Sequence, residues 1–155
     1  MTAPRRLAPG DPALAQVLGL LHRAFAYMEG RIDPPSSLLR LDAAAMDVPA
    51  RAGEVWALGD PVRATVTLTP QEGALYLGKL AVDEAARGRG LARGLVDLAG
   101  ARARALGLPR LRLQVRVELT GNQRAFSAMG FVEVARHAHP GYASPTSITF
   151  EKDLP

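Results

Sequence analysis

The stretch that most restricts the fold of this 155-residue chain runs from Ala74 to Leu119. An apolar run, "ALYLGKLAV", is followed by "DEAARGRGLARGL", then by leucines at helical spacing, then by the alternating "RLRLQVRVEL". Apolar runs bounded by turn residues read as strands, and a 3.6-residue apolar period reads as a helix. A strand, a helix and a second strand in close succession favour a parallel pair, because antiparallel neighbours need only a short hairpin. The helix carries Leu91, Leu95, Leu98 and Leu106 on its inner face, ends near Gly107, and is stopped by Pro109. The strand after it places Leu111, Leu113, Val115 and Val117 on one face. Arg112, Gln114, Arg116 and Glu118 lie on the other. Gly78, inside the first strand, predicts a bulge or a close backbone approach.

The flanking segments complete a mixed α/β pattern. Asp11-Pro12 is a helix start, with Asp as N-cap and Pro at the first helical position. Leu14, Val17, Leu18, Leu21, Phe25 and Met28 form the apolar stripe of that helix, which ends at Gly30 and the Asp33-Pro34-Pro35 turn. Ser36 or Ser37 caps a second, shorter helix through about Ala45. "EVWAL" and "VRATVTL" read as two strands joined by a turn at Asp60-Pro61. A short helix through Ala125 and Phe126 ends at Gly130, and "FVEVAR" and "TSITFEK" close the chain as strands around a Pro/Gly-rich loop. The expected sheet is mostly antiparallel, with one central parallel strand-helix-strand unit. No repeat or linker interrupts residues 1–155, which are expected to form one domain.

Composition narrows the function. There is no cysteine, so thiolate catalysis, disulfides and Cys-ligated metal are excluded. His137 and His139 have no third ligand at a recognisable spacing, so no metal is expected. The N-terminus lacks the apolar core of a secretory signal, and no apolar run is long enough to span a bilayer; a cytoplasmic protein without membrane association is expected. The formal net charge of +4 is modest, but arginine is dense between Arg87 and Arg116. That density suits an anion. Nucleic acid is disfavoured because aromatics are not interleaved with these arginines.

The segment Arg87-Gly88-Arg89-Gly90-Leu91-Ala92 lies between the strand and the helix. The first amides of a helix have no intrahelical acceptor and sit at the positive end of its dipole. Gly88 and Gly90 leave the backbone open to a phosphate, and Arg87, Arg89 and Arg93 add charge-assisted donors. The spacing fits neither the dinucleotide fingerprint nor the P-loop, which needs a Lys-Ser/Thr pair. The segment does resemble the Arg/Gln-x-x-Gly-x-Gly/Ala motif of the GNAT superfamily of acyl-CoA-dependent N-acyltransferases. Asn122, Ala125, Phe126 and Gly130-Phe131 are similar to a second signature of that family. The order of elements from about residue 12 onward agrees with it as well.

The resemblance implies acetyl-CoA or another acyl-CoA as cosubstrate, with its pyrophosphate on Arg87, Gly88, Arg89, Gly90, Leu91, Ala92 and Arg93. It implies a pantetheine arm lying along Leu80, Ala81 and Val82, with Asn122 and Phe126 nearby. It places Gly78 and Lys79 near a bulge that splays the two parallel strands at the thioester. One departure stands out: Phe126 occupies a place where many relatives have a tyrosine proposed as general acid. Asn122 is also separated from Gly130 by a shorter segment than usual.

Transfer to an amine requires removal of a proton, since an alkyl amine with a pKa near ~10 is mostly protonated at neutral pH. Glu118, at the C-terminal end of its strand, is the expected base, and Arg116 is expected to orient an acceptor carboxylate. Tyr27 and Tyr142 are expected at the acceptor side; Tyr142 and His139 are the candidates for a substitute acid. The expected acceptor is a small-molecule or peptide amine, and the closing strands offer an edge for a homodimer. The alternative function is a non-catalytic acyl-CoA binder or sensor, consistent with Phe126.

Overall fold

The computed structural model of the protein describes residues 3–42 and 44–155. Its centre is a seven-stranded sheet built from β1 (Arg5–Leu7), β2 (Glu54–Leu58), β3 (Ala64–Gln71), β4 (Ala74–Val82), β5 (Arg110–Arg116), β6 (Val132–His137) and β7 (Ser147–Asp153). Their order across the sheet is β1-β2-β3-β4-β5-β7-β6. Every neighbouring pair is antiparallel except β4 and β5, which are parallel and joined by helix α3 (Leu91–Ala105). The mixed, mostly antiparallel sheet with one central parallel unit is thus as expected.

Helix α1 (Ala13–Phe25) begins where Asp11-Pro12 predicts, and the Asp11 carboxylate accepts the Ala13 N–H at 2.9 Å. Its buried stripe is Ala13, Leu14, Val17, Leu20, Leu21 and Ala24, together with Met28 just beyond it. Leu20 replaces Leu18 in that stripe. The expected helix from Ser36 to about Ala45 is instead two short 3-10 turns, Ser37–Arg40 and Ala44–Met46, followed by α2 (Asp47–Ala52). Ser36 does cap, accepting the Leu38 N–H at 3.2 Å, but the chain leaves the helix after one turn. The turn at Leu41–Asp42 redirects it, with the Asp42 carboxylate taking the Ala45 N–H at 2.9 Å. Leu106, the C-cap of α3, is exposed rather than buried, and Val96, Ala99 and Ala103 join Leu95 against the sheet. The helix ends at Ala105, so Leu106 lies past its last turn, where the helical period no longer holds it against the sheet. Helix α4 (Thr120–Ala128) follows β5.

Apolar residues pack on both faces of the sheet. One cluster joins Leu95, Val96 and Ala99 of α3 to Val66, Leu75, Leu113 and Phe150; the other joins Val17, Leu20 and Leu21 of α1 to Val55, Ala57 and Ala81. Strand β4 changes phase between them. Leu75 and Leu77 pack with α3, yet Ala81, also an odd position, packs with α1, while Leu80 and Val82 turn to the α3 side. Alternation along a strand has period two, so this inversion requires one extra residue.

Candidate active site

The extra residue lies opposite Val66. Thr67 pairs with Gly78 and Thr65 with Ala81, so Lys79 and Leu80 together face one residue of β3. Lys79 takes a positive φ of 50°, a conformation uncommon outside glycine. A Cβ on Gly78 would stand 2.8 Å from Thr67 Oγ1, so the close approach predicted at Gly78 is real. The bulge bends β4 away from β5. The two strands pair only at Leu75/Leu111 and Tyr76/Arg112, and part beyond that point.

The opening between them is a cleft of about 590 Å³. Leu80, Ala81 and Val82 of β4 line one side, and Leu113, Gln114, Val115 and Arg116 of β5 the other. Phe25, Tyr27 and Met28 close it from the end of α1; Asn122, Ala125, Phe126 and Met129 close it from α4. The cleft reaches Arg87 and Ala92 at the start of α3. Among the described residues its charged lining is wholly cationic: Lys79, Arg87 and Arg116 contribute, and no Asp or Glu does. Burial pulls the Lys79 ammonium below its usual pKa and pushes the Tyr76 phenol above its own.

The glycine segment adopts the backbone that its composition requires. Gly88 and Gly90 have φ of 80° and 74°, and neither has an atom within 4 Å of where a Cβ would stand. Their constraint is therefore the left-handed conformation rather than a lack of room. Gly90 caps α3 without a side-chain hydrogen bond, and the first amide to bond back along the helix is Gly94 N, to Gly90 O at 3.0 Å. The amides of Leu91, Ala92 and Arg93 have no acceptor among the described residues. Arg87, Arg89 and Arg93 are exposed and make no ion pair among those residues. Open amides, a helix dipole and three free cations suit a pyrophosphate.

The other sequence candidates divide into two groups. Tyr27 and Asn122 line the cleft together, with Asn122 Nδ2 donating to the Tyr27 hydroxyl at 3.2 Å and the Arg31 guanidinium 5.7 Å from the Tyr27 ring. Glu118 and Tyr142 do not line it. They meet at Asp33: Glu118 Oε2 accepts the Asp33 N–H at 3.0 Å, and the Tyr142 hydroxyl donates to Asp33 Oδ1 at 2.5 Å. That bond to a carboxylate holds the Tyr142 proton and raises its pKa. His139 is engaged with the Thr146 hydroxyl rather than with the cleft. Sequence reasoning missed Tyr76, Gln114, Phe25 and Met129 as lining residues. Tyr76 had a usable signal, since it precedes Gly78 by two and so shares its face.

The family model for the acetyltransferase (GNAT) family matches residues 20–131. The chain belongs to the GNAT acetyltransferase family. Acyl transfer from acetyl-CoA is the general chemistry of GNAT proteins, and the region matched contains both the glycine segment and the splayed strands. Among solved structures, the chain is similar to an acetyltransferase from Streptococcus agalactiae 2603, with a TM-score of 0.75 at 20% identity over 99% of this chain and 98% of that one. It is similar to a GNAT family acetyltransferase from Elizabethkingia anophelis with acetyl-CoA bound, with a TM-score of 0.73 at 17% identity over 99% and 98%. It is also similar to the ribosomal-protein-S18-alanine N-acetyltransferase of Escherichia coli, with a TM-score of 0.72 at 17% identity over 99% and 94%. At these identities the likeness establishes the GNAT fold alone. No curated protein sequence matches that of the chain. Among the described residues, no helix is long and apolar enough to cross a membrane.

Proposed function

We propose that this protein transfers an acetyl group from acetyl-CoA directly to a primary amine. The observation that carries the reading is the continuity of one cleft from the open helix amides at Arg87–Ala92 to the parted ends of β4 and β5. The segment from Arg87 to Arg93 holds the pyrophosphate, with backbone amides and guanidinium groups sharing its charge. Leu80, Ala81 and Val82 offer the unpaired edge of β4 to the pantetheine amides, and Phe126 packs against that arm from α4. In the transfer, the amine nitrogen forms a bond to the thioester carbonyl carbon, the carbon–sulfur bond breaks, and coenzyme A leaves as thiolate. Backbone N–H groups freed at the bulge are suited to bind the developing oxyanion.

No carboxylate lines the cleft, so the base acts from its rim. Glu118 stands between two lining residues, Arg116 and Leu119, and takes the amine proton through solvent. Phe126 has no proton to give the leaving thiolate. Two phenols do line the cleft, Tyr27 and Tyr76, and burial raises the pKa of the Tyr76 phenol.

Phe126 and the lack of a lining carboxylate together favour one second reading, a non-catalytic acyl-CoA binder. The test titrates acetyl-CoA and then follows thiol release over a panel of amines. Saturable binding with amine-dependent thiol release is expected. Binding without release on any amine leaves the binder, and no binding of acetyl-CoA overturns both.

A further inference from the structure

Strand β5 carries a row of polar side chains, Arg110, Arg112, Gln114 and Arg116, each opposite a residue of β7. The first two arginines face acids. Arg110 pairs with Asp153 at 3.1 Å, and Arg112 with Glu151 at 2.7 Å while also reaching Gln71 Oε1 at 2.9 Å. Gln114 faces Thr149. Arg116, the last of the row and, like Gln114, a lining residue of the cleft, faces Ser147 and has no acid within 4.0 Å among the described residues. Its only side-chain hydrogen bond among them is a long one, Nη2 to Pro35 O at 3.4 Å, and its Nη1 is buried without an acceptor. The neighbouring acids are engaged elsewhere, Glu118 with the Asp33 N–H and Asp33 with Tyr142. Buried polar groups are ordinarily satisfied, and a guanidinium presents five donors in a planar fork that matches a carboxylate.

We propose that Arg116 is the carboxylate-binding group of the acceptor site, so that the acceptor is a small amine bearing a carboxylate, such as a free amino acid. The proposal rests on the acetyl-transfer reading for the fate of the amine, but not for the binding itself. Arg112 four residues earlier shows what this row grips when an acid is within reach. Arg116 lines the cleft without such a partner, and the acid must come from outside. Lys79 adds a second positive charge to the lining, and no lining carboxylate offsets either. A polyamine or other polycation meets like charge there and no partner. A zwitterionic amino acid has its carboxylate neutralised by Arg116 and its amine free for the thioester.

The experiment compares free L-amino acids having small, aromatic or acidic side chains with their own carboxamides, and includes spermidine. Each compound is titrated by calorimetry into the coenzyme A-loaded protein, and thiol release from acetyl-CoA gives kcat/KM. At least one free acid is expected to bind about tenfold or more tightly than its carboxamide, as for a charge-assisted hydrogen-bonded pair. The carboxamide has the less basic amine, so chemical reactivity alone runs against the expected order in kcat/KM. Arg116→Gln is expected to bring the acid-to-amide ratio near one, and Arg116→Lys to keep part of it. Carboxamides that bind as well as every free acid, a preference for spermidine, no measurable binding of any free acid, or an undiminished ratio in folded Arg116→Gln overturns the proposal. The wild-type ratio stands as a test even if that variant does not fold. Acid preference in Kd with no thiol released on any compound upholds the carboxylate site while removing the transfer reading.

Discussion

Arg102, in the last turn of α3, holds the buried carboxylate of Glu54 on β2 through two hydrogen bonds of 2.8 Å, from Nε to Oε1 and from Nη2 to Oε2. The Trp56 indole N–H donates to the same Oε1 at 2.8 Å. Glu54 is only 5% exposed, so this fork is what permits a charge there and what locks the crossover helix to the far side of the sheet. Arg102→Met leaves that charge without its partner and is expected to lower stability by about 3 kcal/mol at pH 7, read from urea unfolding. The Arg102 hydrogen bonds hold the Glu54 carboxyl below its usual value of 4.5. A depressed acid stabilises the fold fully above its unfolded pKa and loses that contribution as pH falls through the folded one. The gap between wild type and variant should therefore shrink with acidification below about pH 4.5; a gap that stays constant would show that the ion pair contributes nothing.

At the glycine segment the left-handed backbone makes the prediction. Gly90→Ala has room for its methyl group but must hold φ near 74°, at a cost of roughly 1–2 kcal/mol. Coenzyme A affinity is expected to fall about tenfold by calorimetry, since 1.4 kcal/mol is a factor of ten. Gly94→Ala is the matched control. It lies within α3, has nothing near its Cβ position, and should leave affinity unchanged while raising stability by about 0.5–1 kcal/mol. Equal losses in both variants would point to a general helix effect.

Glu118→Gln preserves an acceptor for the Asp33 N–H while removing the proposed base. The expected result is a drop in kcat/KM of about 10²-fold or more, with coenzyme A affinity intact. The limb of the pH profile that reports base ionisation should vanish with it. An unchanged rate and profile would remove Glu118 from the chemistry.

Tyr142 gives a spectroscopic prediction. Its proton is held by Asp33, so the phenol ionises above the ordinary value of 10.0. Asp33→Asn removes the negative charge that opposes ionisation, and the Tyr142 transition should move down in pH. Alkaline difference absorbance of tyrosinate reads this directly, with Tyr142→Phe identifying the transition. No movement in Asp33→Asn would mean that the 2.5 Å contact is absent in solution.

Where sequence reading succeeded, the determinants were local. The bounds of β4 follow from an apolar run closed by Gly73 and Asp83, and the start of α3 from the Gly88-Arg89-Gly90 break that precedes its leucine period. Between Ser36 and Ala52 the local signals competed. Ser36 is a true cap, yet Asp47-Val48-Pro49 is the stronger helix start, with an acid and a proline both in the first turn, where they are tolerated. The three residues of β1 are too few to carry a period. The backbone of the Arg87–Ala92 segment was legible, because one loop makes it. The meeting of Asp33, Glu118 and Tyr142 was not legible, because they converge from segments 85 and 109 residues apart in the hydrogen bonds that join them. Arg116 is expected to orient a carboxylate from its place on the polar face of its strand, but that it stands unpaired is recognised only once its cross-strand neighbour, Ser147, is known.

The single surplus residue in β4 makes that strand two messages read in opposite phase. Before Gly78 the odd positions face α3; after Lys79 the even ones do. Deleting Lys79 would bring the two halves into step and draw β4 flush against its neighbours, while Leu80 and Val82 kept the α3 face. A frame error one residue long would thus erase the cleft without removing any group proposed to bind in it, making length at this point as stringent a requirement as identity.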